Sequence, residues 1–330
     1  MNTPYINTSF LSGFSALVLA KGGSPSKLYE SVGLDKEIFI EESLLIPFDK
    51  FIYLLEAAAN QLDFPDIAMQ LARQQDMMIL APLGSLLNHC NNVFEALEVI
   101  IKYLKILVSG YRVDIQVHQE YLTITFDVEL PHIQESVQYQ DYAMASAVAI
   151  LQGMLGKSHP IRACYFLRSE QNHKRISEYS RYYGCPVAFN CRTLSMTVDS
   201  AVLHKDIGKL VSQINARINN ALSSYNESII DQVTKVISFS LANGSSNIND
   251  IATAMNYSQR TLQRKLSEHN TSYRALLDSV RFNMANQYLK NTYYRLTDIA
   301  ALLGYNNLSS FSRSYHRWSG VYPTEVRKRI

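Results

Sequence analysis

Arg260, Gln263 and Arg264 stand together in the last third of the chain, interleaved with Leu262 and Leu266. At about 100° per residue the two leucines share one face of a helix. Arg260, Gln263, Arg264 and Ser267 then fall on the opposite face. Apolar inside and polar outside is common to surface helices, but the residue types narrow the reading. An arginine can grip guanine O6 and N7 with two hydrogen bonds, a glutamine can do the same for adenine, and serine suits either. The chemistry on offer is hydrogen bonding to base edges in duplex DNA. A second set repeats the pattern: Phe311 and Tyr315 face inward, and Ser309, Ser312, Arg313 and His316 face outward.

The two sets belong to an internal repeat. Asn249-Asp250-Ile251-Ala252 recurs as Thr297-Asp298-Ile299-Ala300, and Tyr257 recurs as Tyr305 at the same offset. After one inserted residue, Leu262, Arg264 and Leu266 recur as Phe311, Arg313 and Tyr315. Each copy predicts a short helix (248–255; 296–303), a tight turn at Asn256-Tyr257 or Gly304-Tyr305, and a second helix starting near Ser258 or Asn307. Asn and Gly tolerate the left-handed backbone such turns use. Helix, short turn, helix is the arrangement whose second helix enters the major groove.

What must position these two units is the segment between them. Residues 272–289 predict one helix of about 18 residues, roughly 27 Å at 1.5 Å per residue. Its buried stripe is Leu276, Leu277, Val280, Met284 and Tyr288. A rod of that length can hold two reading helices about one DNA turn, roughly 34 Å, apart. Charge agrees. Residues 230–330 hold 13 Lys and Arg against 6 Asp and Glu, a net +7; the remainder holds 18 against 23, a net −5. A basic tail behind an acidic front suggests a polyanion-binding module attached to something else. Lys265, Arg295, Arg317 and the Arg327–Arg329 end are phosphate candidates, with Ser258 and Asn307 at the helix starts; solubility is the rival reading for the last three basic residues.

The front reads as helices first and strands later. Residues 1–110 predict helices, clearest at Phe48–Ala59 and Val93–Leu107. Tyr111–Val117 and Tyr121–Val128 alternate and predict a hairpin. A buried helix over 135–155, a strand over 161–167, a helix over 173–183 and a strand over 193–198 follow. From Lys205 to Tyr225 the pattern is helical again. Val211, Ile214, Ile218, Ala221 and Tyr225 are spaced as a short coiled-coil seam; packing onto the helix's own domain is the equal alternative. Leu241–Ile248 predicts a linker.

The tail resembles the AraC/XylS-type DNA-binding domain. Ile299-Ala300, Gly304-Tyr305, Ser309 through Arg313, Tyr315, Trp318, Gly320, Pro323 and Arg327 carry the resemblance. The front resembles the arabinose-binding-like amino-terminal domains of a subset of that family, through Leu83-Gly84, Ala96-Leu97, Tyr103-Leu104 and the hairpin that follows. The resemblance implies an α+β sensor domain, helices plus a small mixed sheet, over 1–204. It implies a helical connector over 205–229 and an all-α domain of two helix-turn-helix units joined by a linker helix over 230–330. By position, the family's base-reading places fall on Arg260, Gln263 and Arg264, and on Leu308, Ser309, Ser312 and Arg313. The implied partners are double-stranded DNA, RNA polymerase, a small-molecule effector and a second copy of the chain.

Other chemistry finds little support. Cys185 and Cys191 lie six apart and Cys90 adjoins His89, spacings that make no metal site. No phosphate-cradling loop, dinucleotide fingerprint or nucleophile elbow occurs, so neither a cofactor nor catalysis is expected. No run of about 20 apolar residues predicts a membrane span, and the amino terminus does not read as a secretory signal, which leaves a cytoplasmic expectation. For an effector, Tyr103, Tyr111, Tyr121, Tyr139 and Tyr142 offer aromatic walls, with core and surface packing as the rival reading, and Lys102, Lys105, Arg112 and Arg162 could pair an anion. Two readings stay open: a regulator, more an activator than a repressor, gated by a small molecule, and a DNA-binding protein whose front only dimerises.

Overall fold

The computed structural model describes residues 4–34, 45–75, 87, 90–155, 161–208, 211–212, 228–242, 247–255, 257–290 and 295–329. Two hydrophobic cores divide it, one built from residues up to Val211 and one from Val233 onward.

The front opens with β1 (Tyr5–Asn7), α1 (Phe14–Ala20), α2 (Pro25–Ser31), β2 (Leu45–Pro47), α3 (Phe48–Gln61), α4 (Ile67–Gln75) and α5 (Val93–Leu107). Strands β1 and β2 pair antiparallel. This corrects the all-helical expectation for 1–110: three-residue strands carry no period of their own and are fixed by long-range pairing. The start of α5 is capped by Asn92, whose Oδ1 accepts from the Glu95 amide at 3.0 Å.

The hairpin falls where alternation put it, as β3 (Tyr111–Val117) and β4 (Tyr121–Val128), with Ile115 opposite Ile124. After it come α6 (Pro131–Gln134), α7 (Val137–Leu155), β5 (Ile161–Tyr165), α8 (His173–Tyr183), β6 (Val187–Ala188) and β7 (Leu194–Asp199). The sheet order is β3-β4-β7-β5-β6, with only β5 and β6 parallel. On β4, Leu122, Ile124, Phe126 and Val128 are buried while the residues between them are half-exposed, the signature of a sheet covered on one face. Helices α3, α4, α5 and α7 lie in the same core as that face.

The front and tail also touch. Ile6 of β1 is 2% exposed in the front core, while its neighbour Tyr5 packs against the tail core. The Tyr5 backbone is anchored to the front by hydrogen bonds with Ser109, amide to Oγ and carbonyl to amide, both 2.8 Å.

Of the connector, Gly208 and Val211–Ser212 are helical, and Val211 is buried in the front core. Ile214, Ile218, Ala221 and Tyr225 of the expected seam lie outside the described residues.

The tail is helical throughout: α9 (Ile229–Ala242), α10 (Ile248–Ala254), α11 (Gln259–Glu268), α12 (Tyr273–Lys290), α13 (Leu296–Leu302), α14 (Leu308–Ser319) and α15 (Pro323–Arg329). Helix α9 was not expected from the sequence. Val233, Val236, Ile237 and Leu241 form its buried stripe, so Leu241 ends a helix rather than starting a linker. The expected stripe of α12 is buried at every position, and Ala285 and Leu289 join it.

Candidate nucleic-acid interface

The two reading units are built alike down to their backbone bonds. In the first, the Tyr257 amide donates to the Ala252 carbonyl at 2.8 Å; in the second, Tyr305 donates to Ala300 at 2.9 Å. Each turn tyrosine lies under a cation: Lys265 Nζ is 5.3 Å from the Tyr257 ring, and the Arg281 guanidinium is 4.5 Å from the Tyr305 ring. Gly304 has φ +72°, the left-handed backbone that the turn requires. Asn256, its counterpart, lies outside the described residues.

Both reading helices start on a side-chain cap. Ser258 Oγ accepts from the Thr261 amide at 3.1 Å, and Asn307 Oδ1 accepts from the Ser310 amide at 2.9 Å. These two side chains therefore already serve their helices. The remaining amides of each first turn are open to a phosphate. Asn307→Ala is expected to cost about 1 kcal/mol of stability, read from the thermal unfolding of the tail.

On α11, Leu262 and Leu266 are fully buried, and Arg260, Gln263, Arg264 and Ser267 are exposed. Arg264 is 71% exposed and lies 3.6 Å from Glu268, an exposed pair four residues on. Such a pair is weak and leaves the guanidinium ready to reach outward. On α14, Phe311 and Tyr315 are buried, and Ser309, Arg313 and His316 are exposed. Ser312 is half-buried, and Leu308 packs partly against the tail core, which limits what Leu308 can offer a base. Arg313 Nη2 sits 3.4 Å from Ser310 Oγ.

The linker helix seats the second unit through one face. Arg281 donates from Nε to the Leu303 carbonyl at 2.9 Å, Asn286 Oδ1 accepts from the Tyr315 hydroxyl at 2.6 Å, and Asp278 Oδ2 accepts from Arg317 at 2.9 Å. Phe282 packs tilted against Tyr315 and edge-on against Trp318, with ring centroids 5.7 and 6.0 Å apart. Sequence reasoning missed these four. Their steps of three, one and four residues put them on one face of α12, and that was the available signal. Among the phosphate candidates, Lys265 is half-exposed, Arg295 is 68% exposed and hydrogen-bonded to Asp298, and Arg317 is 53% exposed beside Asp278. Arg327 is half-buried with Nη2 on the Tyr288 carbonyl at 3.4 Å, so it holds α15 to α12.

In the front, Tyr111 and Tyr142 line one cavity under the sheet. Lys102, Arg112 and Arg162 are set apart from it. Lys102 is exposed, Arg112 pairs with Glu129 on the outer side, and Arg162 lies near Glu120 and Asp199. Strand alternation gives the reason for Arg112, which must point away from the face that Tyr111 shares. The Lys105 side chain lies outside what is described. Burial pushes the Tyr111 and Tyr142 hydroxyls above their ordinary range, so both remain neutral donors. The four cysteines are free, with Cys164 and Cys185 buried 3.6 Å apart. Among the described residues no group of three metal-ligating side chains gathers, and no helix is long and apolar enough to cross a membrane.

A duplicated helix-turn-helix on a rigid linker, behind an α+β domain with its own cavity, defines a DNA-binding regulator. A family model described as the arabinose-binding domain of AraC transcription regulators matches residues 22–207, and one described as a helix-turn-helix domain matches 251–329. The chain belongs to the AraC family of DNA-binding transcription regulators. It is 25% identical to the HTH-type transcriptional regulator VirS of Mycobacterium tuberculosis over 98% of this chain and 96% of that one. It is 22% identical to the ornithine utilization regulator of Pseudomonas aeruginosa over 94% and 93%. Among solved structures, the transcriptional regulator CdpR from Pseudomonas aeruginosa aligns at 19% identity and TM-score 0.39, over 92% of this chain and 96% of CdpR. The named relatives are regulators, not enzymes.

Proposed function

We propose that this regulator is a cytoplasmic activator whose grip on DNA is set by a small molecule in the front domain. In this reading Arg260, Gln263 and Arg264 read bases from one major groove, and Ser309, Ser312 and Arg313 from the next. The second helix has few long polar side chains, so it contributes more by positioning and by DNA shape than by direct readout. Lys265, Arg295 and Arg317 supply phosphate contacts. An effector in the cavity acts by favouring one arrangement of the front domain, which biases the tail through the contact at Tyr5. The activating role also requires contact with RNA polymerase.

The observation that carries the DNA reading is the exposure of Arg260, Gln263 and Arg264 on a helix whose opposite face is fully buried. Selection of bound duplexes from random sequence, with the full chain, is expected to return a site with two blocks one helical turn apart. A single block, or none, would remove the second unit or the whole reading.

The connector is the proposed dimer element. Val211 is buried within the front core, so it is a poor probe. Ile214→Asp with Ile218→Asp is expected to convert a dimer to monomers while the fold persists. Unchanged mass by light scattering would place the helix against its own domain.

A further inference from the structure

Two free thiols lie side by side near one end of the front sheet. Cys164 sits on β5 and is fully buried; Cys185 follows Gly184, which ends α8, and is 7% exposed. Their sulfurs are 3.6 Å apart, although the residues are 21 apart in sequence. The backbones that carry them are already in sheet contact. Cys164 stands opposite Val187 of β6, and its amide donates to the Pro186 carbonyl at 3.0 Å. Side-chain rotation is then enough to join the sulfurs.

The pair differs from an ordinary buried thiol, which is inert. A hydrogen bond from the Cys164 thiol favours Cys185 as the thiolate and lowers its pKa, against burial, which raises it. The same bond, with burial behind it, raises the Cys164 thiol. Cys185, the less buried of the two, is thus the nucleophile, and Cys164 the thiol that follows. Access comes through β6. This strand has two residues and ends the sheet order β3-β4-β7-β5-β6. Short edge elements open locally at low cost, and opening there uncovers Cys185.

We propose that Cys164 and Cys185 are a reversible disulfide site, closed by a hydroperoxide and opened by a dithiol. The Cys185 thiolate attacks one peroxide oxygen. An S–O bond forms, the O–O bond breaks, and hydroxide leaves as water, giving a sulfenic acid. Cys164 then attacks that sulfur. The S–S bond forms, the S–O bond breaks, and the leaving hydroxide takes the Cys164 proton as a second water. Two thiols are oxidised and one peroxide is reduced. The bond closes a loop that carries Arg168 and Tyr179, the partners of Asp141 on α7. Oxidation fixes α8 against the helix that walls the front cavity.

The test treats the reduced full chain with hydrogen peroxide under native conditions. Two of the four thiols are expected to disappear, counted with a maleimide after denaturation, and the intact mass to fall by two hydrogens. Dithiothreitol is expected to restore both. Cys90→Ser and Cys191→Ser are expected to react as the parent does. Cys164→Ser is expected to stop at a sulfenic acid on Cys185, trapped by dimedone, and Cys185→Ser to lose both reactions, each variant checked for fold by circular dichroism. The thermal midpoint of the front domain is expected to rise by about 5–10 °C on oxidation. Four thiols surviving in the folded parent chain, or a bond that includes Cys90 or Cys191, would overturn the proposal. A midpoint that does not rise would also overturn it, by showing a bond that the folded domain does not accommodate.

Discussion

Arg168→Met is expected to cost the front domain roughly 3–5 kcal/mol, because it strands a buried carboxylate. Asp141 is fully buried on α7, and Arg168 Nη2 lies 2.6 Å from its Oδ1. The Tyr179 hydroxyl donates to Asp141 Oδ2 at 2.5 Å and accepts from Arg168 at 2.8 Å. Burial pushes the Asp141 carboxyl above its ordinary range, and Arg168 and then Tyr179 pull it back down. The guanidinium also stacks 4.8 Å from Phe166 and 5.3 Å from Phe189. Methionine keeps that packing and deletes the charge. Urea unfolding followed by circular dichroism reads the loss. The only tryptophan, Trp318, lies in the tail, so its fluorescence is expected to show an unmoved tail transition. Adding Asp141→Leu is expected to recover most of the loss, since the stranded charge disappears with its partner. A single-variant cost below about 1 kcal/mol would mean that Asp141 takes up a proton readily and that the pair is not ionic.

Arg264→Ala is expected to weaken binding to the selected DNA site by about 1–3 kcal/mol and to relax preference at one base pair. Little in the free protein opposes that reach. The Glu268 contact is exposed on both sides, and its loss changes stability by a few tenths of a kcal/mol at most. Lys265→Ala is the control. If Lys265 grips a phosphate, its removal would weaken all sequences alike and reduce the salt slope by about 1. Titrations on the selected site and on a site altered at one base pair separate the two outcomes. Equal losses on both duplexes for Arg264→Ala would make it a phosphate contact, and no loss would remove it from the interface.

Period and repetition made the tail legible. Leu262, Leu266, Phe311 and Tyr315 are buried because a helix of 3.6 residues per turn admits no other arrangement of those apolar positions. The hairpin was legible for the same reason at period two. What stayed hidden depends on partners distant in sequence. Strands β1 and β2 form by pairing with segments distant in sequence, and Arg281 is held by carbonyls more than twenty residues away. The proposed effector residues Tyr111 and Arg112 do not gather at one cavity, a point that strand geometry already contained. Tyr111 and Arg112 are adjacent in β3, so they cannot both face one cavity.

Residues 5 and 6 make one strand answer to two masters. Ile6 is wall to the container in the front, and Tyr5 is cushion to the linker rod behind it, close enough that, after burial, the neighbouring Tyr5 hydroxyl also pushes the Tyr288 hydroxyl above its ordinary range. Filling or emptying the container therefore shares a mechanical part with the DNA reader. A lesion at Ile6 would register in both assays at once, and a fusion placed just ahead of Tyr5 would sit on the joint itself.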